Sequence, residues 1–341
     1  MQRVAVVGGG ISGIACATSL VNRGVPVTIF DRGHRIGGRL ATQTLRDTGT
    51  QWDSRVVDVG ASYFTAHDVR FKRVVESLCD QGIAREWTDT IHVADATGVI
   101  GPKIGPVRYA TSGGLRSVVQ ALADQLPADL VRWEYPHDVG GLIPRENGIA
   151  VGDDLFAAVA VCMPDPQAQR LFIDPGFEQA RAVLANSPRW EPVLALTTVY
   201  ESRCWQPFDA MFVNDDAAVT FIANDGSRRG DDAPVLVTHS ASAIAGAHLS
   251  DPNEAAPALM AAVAQVLDTQ MHPSWFSVKR WTFARPTAAR AELFGWAETP
   301  ARWPIGLAGD SWAGGPRTET AWLSGTELGL ALAASDSLLG D

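Results

Sequence analysis

At 341 residues the chain is long enough for one large or two closely associated domains, because single cores stop growing at about 250 to 300 residues. With 46% apolar and 19% charged residues, burial can offset chain entropy, which sets aside the disordered and low-complexity classes. A net charge of −10, with the arginines scattered, leaves little to attract a polyanion, so no nucleic-acid partner is expected.

Val4–Val7 is a short β-branched run, and Ile11–Asn22 carries Ile11, Ile14, Ala15, Ala17, Leu20 and Val21 at helical spacing. Val25–Phe30 is a second strand, which completes a βαβ unit whose parallel strands need helices on their faces. Val56–Gly60 reads as extended, Arg70–Asp80 and Gly113–Gln125 as helices, and Leu130–Val161 as strands broken at Gly140-Gly141 and Asn147-Gly148. Strand patterns return at Val193–Tyr200, Met211–Val213, Val219–Ile222 and Val235–His239, ahead of a helix at Asn253–Leu267. A strand at Ile305–Ala308, the pair Gly309-Asp310 and a helix from Thr320 to Leu338 follow. The first βαβ and the last strand and helix are read as one domain that receives the middle as an insertion.

Cys16, Cys79, Cys162 and Cys204 lie far apart and form no CxxC pair, which argues against a zinc, iron–sulfur or disulfide framework, so no metal is expected. The first apolar run has no charged lead-in and is cut by Gly8-Gly9-Gly10 and Gly13. It is therefore neither a signal peptide nor a membrane span, and the expected compartment is the cytoplasm.

The strongest motif is Gly8-x-Gly10-x-x-Gly13 between strand and helix, with the acid Asp31 closing the second strand. Gly8 allows the tight turn, Gly10 lets a pyrophosphate approach the backbone, and Gly13 lets helix and strand pack closely. Asp31 would accept a ribose hydroxyl. A dinucleotide is expected here.

The segment Asp31-Arg32-Gly33-His34-Arg35-Ile36-Gly37-Gly38-Arg39 resembles the GG-R element of glutathione-reductase-type flavoproteins, whose arginine neutralises diphosphate charge. In that group the strand-ending acid, here Asp310, bonds a ribityl hydroxyl. The following helix, with Thr320 and Ala321 in its first turn, points its positive end at the flavin. Gly60-Ala61-Ser62-Tyr63-Phe64-Thr65-Ala66-His67, then Trp281-Thr282-Phe283-Ala284-Arg285-Pro286, and finally Gly309-Asp310 with Ala321-Trp322-Leu323-Ser324-Gly325 together resemble the bacterial renalases, nearly end to end. Ser62 stands where those enzymes commonly have Gln, and the Lys-Pro pair common near position 228 is absent.

The resemblance implies an α/β fold: a Rossmann-like FAD-binding domain over 1–65, 108–165 and 277–341, with an inserted α+β substrate domain over 66–107 and 166–276. It implies one FAD, held by Gly8, Gly10, Ile11, Ser12, Gly13, Asp31, Arg32, Gly38, Arg39, Gly60, Ala61, Ser62, Tyr63, Gly309, Asp310, Thr320 and Ala321. Tyr63, Thr65, His67, Trp281 and Arg285 would position the substrate, a 2- or 6-dihydro isomer of NAD(P)H, with Trp322 as a further flanking face and oxygen taking the electrons. Ala313-Gly314-Gly315-Pro316-Arg317 holds no cysteine, so attachment is expected to be non-covalent. A flavin amine oxidase is the main alternative. Against it, Pro192–Tyr200 carries none of the three lysines, Lys72, Lys103 and Lys279, where amine oxidases commonly place one. A desaturase would want a long apolar membrane-facing surface. A non-catalytic flavin or NAD(P) sensor is the remaining reading.

Overall fold

The computed structural model describes residues 2–95, 97–270 and 272–339. The chain divides into two compact units, the first made of Met1–Gly38, Val119–Trp190 and Arg285–Asp341, the second of Arg39–Val118 and Glu191–Ala284.

The first unit is built on a six-stranded sheet in the order 295–298, 304–307, 158–161, 4–7, 27–30 and 131–134, parallel throughout except for the edge strand Gly295–Glu298. Val4–Val7, Val27–Phe30 and Ala158–Val161 are buried along their whole length, as strands covered on both faces must be. Helix Ile11–Val21 and the later helix Thr318–Ala333 pack on this sheet and on each other. A Cβ on Gly325 would lie 2.0 Å from the Ser12 carbonyl oxygen, and one on Gly329 2.5 Å from that of Cys16. Both contacts step by four residues in the same direction, so the two helices run parallel with their backbones touching. The other face carries Phe172, Phe177 and Leu184 against Val7, Val161 and Ile305.

The second unit is a seven-stranded sheet in the order 275–286, 190–199, 235–240, 219–224, 210–214, 85–95 and 98–110. Alternation sorts its faces. Leu194 and Leu196 join Ile222, Leu236 and helix Ala256–Val266 in one cluster, whereas Ala195 and Val199 join Val235, Val237, Leu45 and Val57 in another.

The units differ from the expected domains at each crossing. Residues 39–65 belong with the second unit because Leu45, Val57 and Val59 fill its core and Asp58 is paired to Arg229. Residues 166–190 belong with the first because Phe172, Phe177 and Leu184 do. The long hairpin Arg85–Asp95 with Gly98–Ala110 and the short helix Asp225–Arg229 were not anticipated. Among the described residues no helix is long and apolar enough to cross a membrane, and no cluster of His, Cys, Asp and Glu could hold a metal.

Candidate functional site

In the first unit the loop Gly8–Gly13 joins the carboxyl end of the strand Val4–Val7 to the first helix, the position where open parallel sheets bind ligands. Gly8 has φ +117°, and a Cβ there would meet the Cys162 carbonyl oxygen at 2.3 Å. A Cβ on Gly13 would come within 1.8 Å of the Gly8 carbonyl oxygen, so the turn and the helix close on each other through these two residues. Gly10 is different: the nearest atom to its notional Cβ is the Gly38 Cα at 3.8 Å. Its bareness serves nothing in the packing and leaves the helix start open.

That helix start has no side-chain cap, and the Ser12 hydroxyl is buried without a protein partner. Uncapped first-turn N–H groups carry the positive end of the helix dipole, and an anion placed there satisfies both. Asp31 braces the loop from the neighbouring strand. One carboxylate oxygen accepts from Gly9 N–H and the other from Gly33 N–H, each at 2.7 Å. Each oxygen retains a second lone pair for a ligand hydroxyl. Gly37 N–H reaches the Gly9 carbonyl at 2.9 Å, which brings Gly38 against Gly10, while Arg32 is exposed beside Asp31.

The second candidate position in this unit is the turn at Gly309 and Asp310 after the strand Pro304–Leu307, with Asp310 9% exposed. Gly309 N–H donates to the buried Ser324 hydroxyl at 3.1 Å, which ties the turn to the later helix. Thr320 accepts from Arg317 N–H at 3.1 Å and donates to the Gly315 carbonyl, so its hydroxyl caps the helix, and Ala321 N–H donates to the Arg317 carbonyl at 3.1 Å; both residues are buried. Gly325 is level with Ser12, so the later helix begins about 9 Å beyond the start of the first, at 1.5 Å per residue. Arg290 clamps the turn: it pairs with buried Asp165 at 2.8 Å and lies over the Trp312 ring at 4.1 Å. Arg285 is exposed at the first residue of this returning stretch.

In the second unit Arg39 donates to the Ala284 carbonyl at 3.0 Å, and its own carbonyl accepts from Ala61 N–H at 2.9 Å. A Cβ on Gly60 would stand 2.0 Å from the Arg39 carbonyl oxygen, so Gly60 is fixed by this close pass. The Ser62 hydroxyl is buried with no protein partner. Tyr63 packs against Trp87 and Phe221, with ring centroids 6.5 and 6.0 Å away, and the Arg108 guanidinium lies over its ring at 5.4 Å. Thr65 is half-buried just beyond Phe64, which is bridged to Tyr109. His67 is exposed immediately before Asp68, whose carboxylate caps the helix Val69–Asp80 by accepting from Arg70 N–H. Trp281 donates from its indole to the Val59 carbonyl at 2.5 Å and sits half-buried on the cluster around Val57. It is therefore tied to the Gly60–Tyr63 segment, but in a different cluster from Tyr63.

Beneath that segment lies a buried charge network absent from the sequence reading. Asp58 accepts from Leu115 N–H and from Arg229, both at 2.7 Å. Arg228 and Arg55 pair with Asp225, and Arg228 also donates to the Ser62 carbonyl at 3.1 Å. Arg228, Asp58 and Asp225 are fully buried. Burial opposes ionisation of Asp225, yet Arg228, Arg229 and Arg55 hold its carboxyl below the usual range; burial pushes Asp58 up despite Arg229 and Arg228. Arg228 thus carries the backbone of Ser62 on a fixed cation.

Residues 6–81 match the family described as NAD(P)-binding Rossmann-like domain. The chain is 30% identical over 145 residues to flavin-containing amine oxidase A of Bos taurus, a match that covers 41% of this chain and 26% of that one. The chain thus matches about a quarter of the length of the curated amine oxidases it resembles. Among solved structures, cyclohexylamine oxidase from Brevibacterium oxydans superposes with a TM-score of 0.72 at 15% identity, covering 97% of this chain and 98% of that one. A reduced UDP-galactopyranose mutase superposes with a TM-score of 0.70 at 10% identity, covering 100% and 98%. The fold is the one these enzymes share. It carries an oxidase and a mutase alike, so the reaction must be argued from the residues.

Proposed function

We propose that the chain is an oxidase holding one FAD non-covalently and converting 2- and 6-dihydro isomers of NAD(P)H to β-NAD(P)+. The observation that carries the cofactor reading is the pair of parallel helix starts in the first unit, about 9 Å apart along their axes. The nearer start, with open Gly10 and the unpartnered Ser12 hydroxyl, fits a pyrophosphate, and the turn at Asp310 fits the polyol and ring beyond it. Ile11, Gly13, Asp31, Arg32, Gly38 and Gly309 complete that half of the set; Arg39, Gly60, Ala61, Ser62 and Tyr63 are assigned to the cofactor by the renalase resemblance. The cysteine-free stretch 313–317 supports reversible attachment.

Bound FAD supplies a hydride acceptor that oxygen reoxidises. Dihydronicotinamide, oxygen and one proton then become the aromatic nicotinamide cation and hydrogen peroxide. A dihydropyridine needs no general base to give up hydride, only orientation, so no nucleophile–histidine–acid arrangement is required. Tyr63, Thr65, His67, Trp281 and Arg285 are assigned to that orienting task. The enzyme is read as cytoplasmic, without a nucleic-acid or membrane partner.

The second reading, a flavin amine oxidase, is supported by the amine oxidases among the relatives. The lysine-free strand Trp190–Val199 speaks against it. Anaerobic stopped-flow absorbance separates the two: rapid flavin bleaching by isomeric dihydronicotinamides, slow bleaching by β-NADH and amines, and recolouring in air are expected. Fast bleaching by benzylamine or a polyamine, with no response to the isomers, overturns the proposal in favour of amine oxidation.

A further inference from the structure

Arg108 lies two residues before the end of the strand Gly98–Ala110, next to Tyr109, which is hydrogen-bonded on both sides to Phe64: Tyr109 N–H to the Phe64 carbonyl at 2.8 Å, and Phe64 N–H to the Tyr109 carbonyl at 3.2 Å. The side chain is only 8% exposed. Its Nη1 donates to the carbonyls of Pro106 at 3.0 Å and Asp89 at 3.3 Å, and its face covers the Tyr63 ring. Its Nε is buried with no partner, Nη2 makes no hydrogen bond, and no ion pair joins it among the described residues.

A buried guanidinium is ordinarily matched by a carboxylate, as Arg55, Arg228 and Arg229 are in this same unit. Two carbonyl dipoles and a π face offset part of the charge of Arg108, but three of its five N–H donors are unspent. The two on Nη2 have a way out. The residue facing Nη2 is exposed Gly105, whose notional Cβ would sit 3.3 Å from that nitrogen; any side chain there would cover it.

We propose that Arg108, reached past Gly105 and backed by Tyr63, is an anion-recognition site for the phosphate of an organic phosphate substrate. Nη2 offers two N–H donors on a full positive charge at that opening, and a phosphate oxygen is the acceptor that takes charge-assisted hydrogen bonds from such a group. The site also discriminates by charge. A cationic amine brought beside an uncompensated buried arginine is repelled, whereas a dinucleotide brings the missing negative charge. The identity of the phosphate as a dinucleotide's rests on the proposed function; the anion site itself does not.

The test is calorimetric titration of the FAD-saturated protein, so that the cofactor's own diphosphate site is filled, with inorganic pyrophosphate and with ADP-ribose. Wild type is expected to bind, Arg108→Met to bind about ten- to a hundredfold more weakly, and Arg108→Lys to fall between, with FAD content unchanged. Gly105→Val leaves the arginine in place and should weaken the same binding by covering Nη2, which keeps the proposal testable if Arg108→Met does not fold. Equal binding in wild type and both variants, no binding of either probe to wild type, or binding only as FAD is released overturns the site. Turnover of amines alongside anion binding that is lost in Arg108→Met would refute the dihydronicotinamide reading and support the anion site.

Discussion

The two units build their candidate sites from opposite materials. In the first, the cradle is backbone: Gly8, Gly10 and Gly13 shape a loop by lacking side chains, and helix starts supply the charge. In the second, the segment Gly60–Tyr63 stands on side chains, with Arg108 over Tyr63 and Arg228 under Ser62, where Asp58 and Asp225 hold it in place. A backbone site tolerates change wherever a side chain can turn away and fails where a Cβ has no room. A buried charge network fails whenever one member is removed, because the remaining charges stay in a medium that does not solvate them.

The largest effect should come from the network. Asp225→Asn removes the partner of three arginines and is expected to cost about 3 to 5 kcal/mol at neutral pH, read by urea unfolding. The folded carboxyl of Asp225 lies below its ordinary value, so its contribution is complete above that value and lost as pH falls through the folded one. The gap between wild type and Asp225→Asn should therefore shrink below about pH 4. A gap that widens on acidification would contradict this assignment.

Next, Gly13→Ala forces a Cβ to within 1.8 Å of the Gly8 carbonyl oxygen and should destabilise the first unit by about 3 kcal/mol or more, seen as a lowered Tm without FAD. Asp31→Ala should come third. It frees the N–H groups of Gly9 and Gly33 and removes a ribose acceptor, at about 1.5 to 3 kcal/mol of FAD affinity, or one to two orders of magnitude in Kd by fluorescence quenching.

Gly10→Ala sharpens the contrast by changing stability least. Gly10 has φ −83° and an empty flank, so alanine fits and should leave the FAD-free protein within about 1 kcal/mol of wild type, while FAD binds more weakly. Unaltered FAD affinity in Gly10→Ala would remove the pyrophosphate from this loop.

The same contrast explains what could be read from the sequence. Glycine spacing between a strand and a helix encodes backbone geometry directly, so the cradle, the βαβ unit and the helix after Gly309-Asp310 were legible. Asn224–Arg229 carries no pattern that marks it for the core, because Asp and Arg are seldom fully buried; only the tertiary pairing with Asp58 and Arg55 puts them there. The hairpin strand Gly98–Ala110 was hidden by Gly101, Pro102, Gly105 and Pro106, which edge strands accept and central strands do not. Arg108 had no signal at all, since nothing in a one-letter string distinguishes an arginine without a carboxylate from one that has found its partner. Trp281 was expected to position the substrate, and nothing in the sequence shows that its indole is committed to the Val59 carbonyl and its ring half to the core.

The parallel contact between helices Ile11–Val21 and Thr318–Ala333 joins residues roughly three hundred positions apart. During synthesis the first helix, with Ile14, Cys16, Ala17 and Leu20 destined for full burial, is made well before the partner it packs on. Until residue 329 is out, the groove that Gly325 and Gly329 fill stays open to water or to a chaperone. The loop Gly8–Gly13 can form before then, but the first helix lacks the partner that Gly325 and Gly329 bring against it. Docking of the two helices should therefore be a late step in the folding of the first unit.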